Sequence, residues 1–164
     1  MSNFNSQKII APIMRFVNMK GIIALKDGML AILPLTVVGS LFLIIGQLPF
    51  EGLNQAIASV FGDNWIEPFM QVYSGTFAIM GLISCFSIGY SYAKNSGVEP
   101  LPAGVLSLSS FFILLKSSYV PAKGEPIGDA IAKVWFGGQG IIGAIIIGLV
   151  VGAIYTVFIQ KHIV

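Results

Sequence analysis

Residues 28–50 read GMLAILPLTVVGSLFLIIGQLPF, and no charged side chain lies between Asp27 and Glu51. A helix crossing the hydrocarbon of a bilayer needs about 20 apolar residues, and this stretch is long enough. It also contains Pro34, Gly39, Ser40, Gly46 and Pro49. Such residues weaken a helix in water. They are tolerated in lipid where neighbouring helices satisfy the freed backbone groups. The stretch therefore reads as a membrane span built to pack against other spans.

Composition extends that reading to the whole chain. Of 164 residues, 55% are hydrophobic and 10% charged, against about 25% charged in soluble domains. The chain reads as an all-α, polytopic membrane helix bundle. A net charge of +2 is too small to point to nucleic acid. The one cysteine, Cys85, forms no intrachain disulfide or Cys-rich metal site. No cleaved signal peptide is expected, since Lys8, Arg15, Lys20 and Lys26 are spread along the N-terminal region without a compact apolar core.

Outward from the first span, residues 1–27 form a basic cytoplasmic or interfacial segment. At about 100° per residue, Lys8, Arg15 and Lys26 fall together opposite Ile9, Ile13 and Val17, a pattern suited to the membrane interface. Pro12 and Gly21 are expected to divide it. Spans are expected at about 28–48, 69–93, 101–120 and 138–160, within a transmembrane region covering 28–164. Residues 52–62, GLNQAIASVFG, read as a short amphipathic surface helix, and 127–136 as another at the interface. Lys116 lies near the end of the third run, where its stem can carry the ammonium to the interface.

Small residues recur along the spans. In the second, Ser74, Gly81, Ser84, Ser87 and Ser91 form one stripe. In the last, Gly140, Ala144, Gly148 and Gly152 stand four apart. Such spacing lets helix backbones approach closely in lipid. The partner of the last stripe is left open: another helix of the chain, or a second subunit. Four spans place both termini on one side. Lys8, Arg15, Lys20, Lys26, Lys94 and Lys161 fall on that side, against Lys116, Lys123 and Lys133, so it is assigned to the cytoplasm.

No catalytic, cofactor or metal constellation is visible. His162 follows the last span beside Lys161 and is expected to be solvated. Cys85 reads as a packed small residue, because no positive charge or helix N-terminus lies near it in sequence. FGGQG (136–140) lacks the strand and the Lys-Ser/Thr of a phosphate loop, and reads as the turn into the last span.

Three long stretches carry a resemblance: 28–49, TFAIMGLISCFSIGYSYAKNSGVEPLPAGVLSLSSFFIL (76–114) and GGQGIIGAIIIGLVVGAIYTVFIQK (137–161), together with MRFVNMKGIIALKDG (14–28). They resemble, in collinear order, the N-terminal part of the membrane component IIC of bacterial phosphotransferase-system sugar transporters, in the lactose/cellobiose/diacetylchitobiose branch. The resemblance implies uptake of a β-linked disaccharide across the cell membrane. It implies cytoplasmic IIB and IIA partners and a homodimer, and it implies no phosphorylation site on IIC itself. The family's sugar-binding His and Glu belong to a later part of a longer chain, so no substrate-binding residue is carried over. The chain is expected to be an N-terminal portion lacking the sugar site. A non-transporting membrane scaffold or interaction protein is the alternative.

Overall fold

The computed structural model describes residues 19–115, 118–119, 127–128, 131 and 133–162. Seven α-helices run through them. They are α1 (Lys20–Ala31), α2 (Leu33–Gly46), α3 (Glu51–Phe61), α4 (Glu67–Gly75), α5 (Met80–Asn95), α6 (Pro100–Leu114) and α7 (Ile141–His162). Three stretches are long and apolar enough to cross a membrane: Lys20–Gly46, Glu67–Asn95 and Gly138–Lys161. Pro100–Leu114 is a shorter apolar helix. The bundle is all-α apart from a two-residue antiparallel pair, β1 (Ser118–Tyr119) on β2 (Ile127–Gly128).

The first long stretch begins at Lys20, upstream of Gly28. Residues 20–27, assigned from sequence to the interfacial segment, are the first turns of the spanning helix, and the helix runs through Gly21. Charge marks where lipid ends, but Lys26 and Asp27 do not interrupt backbone hydrogen bonding. The amphipathic pattern upstream of residue 19 lies outside the described residues. The helix breaks at Ile32, two residues before Pro34, which stands in the first turn of α2. Proline has no N–H to bond the carbonyl four residues back, and its ring crowds that carbonyl. Pro34 is exposed, and only Gly39 of α2 is buried.

The second long stretch is also interrupted. α4 ends at Gly75, a 3₁₀ turn covers Phe77–Ile79, and α5 follows. At the break, the Thr76 Oγ1 hydroxyl donates to the Val72 carbonyl at 2.7 Å. Below it, α5 ends in a Schellman motif. Gly97 N–H donates to Lys94 O at 3.1 Å and Val98 N–H to Ala93 O at 3.2 Å. Gly97 adopts φ 76°, which glycine reaches without steric cost.

The third span departs from its expected 101–120. α6 stops at Leu114, with Leu115 extended at φ −75°, ψ 140°. Fifteen residues at 1.5 Å each make about 22 Å, less than the ~30 Å of hydrocarbon. Lys116 lies outside the described residues. The interfacial helix expected over 127–136 is replaced by β2 and a 3₁₀ turn at Lys133–Phe136. By contrast, α3 forms over the predicted amphipathic stretch and remains largely exposed.

α5 is the centre. It is flanked by α1, α6 and α7, and it buries Gly81, Ser84, Cys85, Ile88, Gly89, Ser91 and Ala93. Cys85, Phe111 and Ala144 form the core cluster where α5, α6 and α7 meet. Above the two helix breaks, α2 packs on α4, with Phe42 and Trp65 both 5.9 Å from the Phe69 ring. Elsewhere the outer faces are greasy. Ile113, Ile142 and Ile154 are 81%, 70% and 64% exposed, as lipid-facing side chains would be.

Candidate functional site

The stripe Gly140, Ala144, Gly148 and Gly152 lies on one face of the last span, and all four residues are buried. Their neighbours belong to the same chain. A Cβ on Gly148 would stand 2.9 Å from the Cys85 carbonyl oxygen and 3.1 Å from Ile88 Cβ. One on Gly152 would stand 2.9 Å from Tyr92 Cβ and 3.3 Å from Gly89 Cα. One on Gly140 would collide with the Trp135 carbonyl and approach Phe111 Cζ at 3.4 Å. Ala144 has no exposure. The face continues to Thr156, buried at 3%, four residues further on.

The helices opposite use the same device. A Cβ on Gly28 of α1 would meet Ile88 Cα and N at 2.8 Å. On Gly89 it would press into Ser107 and come within 3.0 Å of the Ala103 carbonyl; on Gly104 it would come 2.7 Å from the Phe86 ring. These approaches make α5 the hub of three close backbone crossings. Sequence reading singled out only the outer stripe and part of α5. Ala24-xxx-Gly28 and Ala103-xxx-Ser107 carry the same four-residue signal and mark the two faces it missed. Within the stripe of the second span, Gly81, Ser84 and Ser91 of α5 are buried, while Ser74 of α4 and Ser87 of α5 are half-buried.

Several polar groups inside the bundle bond its own backbone. The Cys85 thiol donates to Ser107 O at 3.2 Å, the Ser107 hydroxyl to Ala103 O at 2.8 Å, and the Ser84 hydroxyl to Met80 O at 2.7 Å. Cys85 is thus a packed, hydrogen-bonded small residue with no cation beside it, and it is not placed as a nucleophile.

At the Lys-rich end, two side-chain bonds tie three helices at one level. Asn95 Nδ2 donates to Asp27 Oδ2 at 3.0 Å, and Gln160 Nε2 donates to Ser96 O at 3.1 Å. Asp27 also pairs with Lys26 at 3.3 Å. A cleft between α1 and α5 opens beside these groups. The side chain of His162 is outside those described.

At the opposite end, residues 133–140 are wound into two 3₁₀ turns around Gly137. The expected turn at FGGQG has this form. It packs against the start of α5: a Cβ on Gly81 would meet Phe136 O at 2.7 Å, and one on Gly137 would meet Ala78 O at 3.1 Å. Non-helical backbone is tolerated at membrane depth where protein covers it. A cavity of about 450 Å³ adjoins this turn, lined by Tyr73, Phe77, Lys133 and Gln139 among others. The Tyr73 and Phe77 rings are stacked with centroids 5.7 Å apart. Among the described residues no three His, Cys, Asp or Glu side chains gather into a metal-binding group.

The packing pattern can be set against known proteins. The sequence model of the family described as "Phosphotransferase system, EIIC" matches residues 26–164. The chain belongs to the phosphotransferase-system EIIC family. Family members are integral membrane transporters, in keeping with the apolar spans. The lichenan permease IIC component of Bacillus subtilis (strain 168) is 36% identical over 165 residues, covering 96% of this chain and 36% of the relative. The cellobiose-specific EIIC component of Geobacillus stearothermophilus is 37% identical over 148 residues, covering 86% and 32%. The crystal structure of the transporter ChbC, the IIC component of the N,N'-diacetylchitobiose-specific phosphotransferase system, aligns with TM-score 0.86 at 32% identity, covering 97% of this chain and 38% of ChbC. The chain therefore spans about a third of the length of these relatives.

Proposed function

We propose that this chain forms a helical scaffold of a phosphotransferase-system IIC component that takes up a β-linked disaccharide such as cellobiose, diacetylchitobiose or lactose. Its cytoplasmic partners in this reading are IIB and IIA, and both termini lie on the cytoplasmic side of the cell membrane. The observation that supports the reading best is the alignment with ChbC along 97% of this chain. Relatives named for lichenan and cellobiose support the same sugar class.

The scaffold role is favoured by how the small residues are used. Gly140, Ala144, Gly148 and Gly152, with Gly28, Gly89 and Gly104 opposite, hold four helices at close contact. Their role in this proposal is to keep that bundle rigid and to leave sugar recognition to other residues. The exposed apolar faces are assigned to lipid and to a second copy of the chain.

A chimaera tests the function. Residues 26–164 replace the matching region of a cellobiose-specific EIIC relative, and phosphoenolpyruvate-dependent cellobiose uptake is measured with IIA and IIB present. Uptake by the chimaera is the expected result. A chimaera that inserts and folds, yet fails to take up cellobiose and the other β-disaccharides, overturns the proposal.

A further inference from the structure

We infer that the cleft between α1 and α5 holds the headgroup of a phospholipid bearing a primary ammonium, of the phosphatidylethanolamine type. The cleft has a volume of about 310 Å³, at the low end of ligand sites. By position along the two helices, its lining runs from Asp27, Lys94 and Asn95 at the Lys-rich end, through Ser91, Tyr90 and Ser87 of α5, to Phe86 and Ala31. From Asn95 to Ser87 is about 12 Å along a helix axis. A ligand filling this groove is charged at one end, accepts hydrogen bonds in the middle and is apolar at the other. A glycerophospholipid has that order: headgroup, ester carbonyls, acyl chains.

The charges select the headgroup. Asp27 accepts one bond from Asn95 and pairs with Lys26, itself 65% exposed. A carboxylate offers about four lone-pair sites, so room remains for an ammonium N–H donor. Lys94 forms no ion pair among the described residues and suits the phosphate next to that ammonium. Ser91 is 8% exposed. It lines the cleft, and its hydroxyl has no hydrogen-bond partner among the described residues. A lipid ester carbonyl supplies the missing acceptor. An anionic headgroup without an amine would set its charge against Asp27, and a quaternary choline has no N–H to donate.

The test is competitive lipid retention by the full chain, read by native mass spectrometry from nanodiscs. The headgroups are phosphatidylethanolamine, its mono- and dimethyl forms, phosphatidylcholine and phosphatidylglycerol. Unaltered protein is expected to retain phosphatidylethanolamine about tenfold over phosphatidylcholine, the value of one charge-assisted hydrogen bond, with retention falling through the methylation series. Asp27→Asn keeps an acceptor for Asn95 and is expected to abolish the preference. Lys94→Gln is expected to weaken both lipids alike. Equal retention of the ethanolamine and choline lipids by unaltered protein, or stronger retention of phosphatidylglycerol, overturns the inference. So does an Asp27→Asn protein that keeps the preference. The methylation series needs no variant, so a misfolded Asp27→Asn leaves a decisive measurement.

Discussion

Adding a single methyl group at Gly148 measures how tightly the central crossing is packed. In Gly148→Ala the new Cβ stands 2.9 Å from the Cys85 carbonyl oxygen and 3.1 and 3.2 Å from Ile88 Cβ and Cγ2. Favourable carbon–carbon contacts lie at about 3.5–4.0 Å, so α5 and α7 must part by about half an ångström. The carbonyl belongs to the α5 backbone and cannot rotate away. A gap of that size forfeits a quarter or more of the dispersion attraction along the seam, which Ala144 and Gly152 share. Overpacking of this kind costs about 1–3 kcal/mol, while alanine regains about 0.8–1.0 kcal/mol of helix propensity. Gly143 is the internal control. It lies in the same helix, and a Cβ there meets nothing within 4 Å, so Gly143→Ala collects the propensity gain without the collision. The two variants are expected to differ by about 2 kcal/mol, with Gly148→Ala the less stable. Reversible unfolding in bicelles measures the difference. Equal stability, or a more stable Gly148→Ala, would refute the close α5–α7 crossing.

Gly28→Ala presses on the Ile88 backbone at 2.8 Å and is expected to destabilise by about 1–3 kcal/mol in the same assay, whereas Gly75→Ala, with open space around it, is not. Thr156 Oγ1 is buried without a hydrogen-bond partner, so Thr156→Val removes an unsatisfied hydroxyl and is expected to stabilise by about 1 kcal/mol; a loss of stability would show that the hydroxyl is in use. Asp27→Ala removes the tie to Asn95 at an exposed helix end and is expected to cost no more than about 1 kcal/mol of thermal stability. In intact cells, a cysteine replacing Gln55 is expected to react with an impermeant maleimide while one replacing Glu99 is not; the reverse labelling would invert the proposed topology. Buried Cys85 is expected to stay unlabelled until the protein is denatured.

Much of this molecule was legible in the chain itself. Uncharged runs locate three of the long apolar segments, because the cost of charge in lipid is local and additive along a helix. Four-residue spacing of Gly140, Ala144, Gly148 and Gly152 marks a seam, because one helix face repeats at that interval. The collinear resemblance over 14–161 led to the family. Helix breaks were harder to see. Pro34 stands within an uncharged run, and the break beside it shows only when backbone hydrogen bonds are followed through Ile32.

Partnership was decided by the tertiary structure alone. Nothing local distinguishes a glycine that meets a second subunit from one that meets α5; the contact depends on which backbone lies opposite. The same holds for Asp27 and Asn95, 68 positions apart, whose bond ties the end of α5 to the body of α1 beside the cleft. Sequence alone determined what must enter the membrane and which helix faces are thin enough to touch. Folding decided which faces meet, because close contact between backbones is a property of pairs.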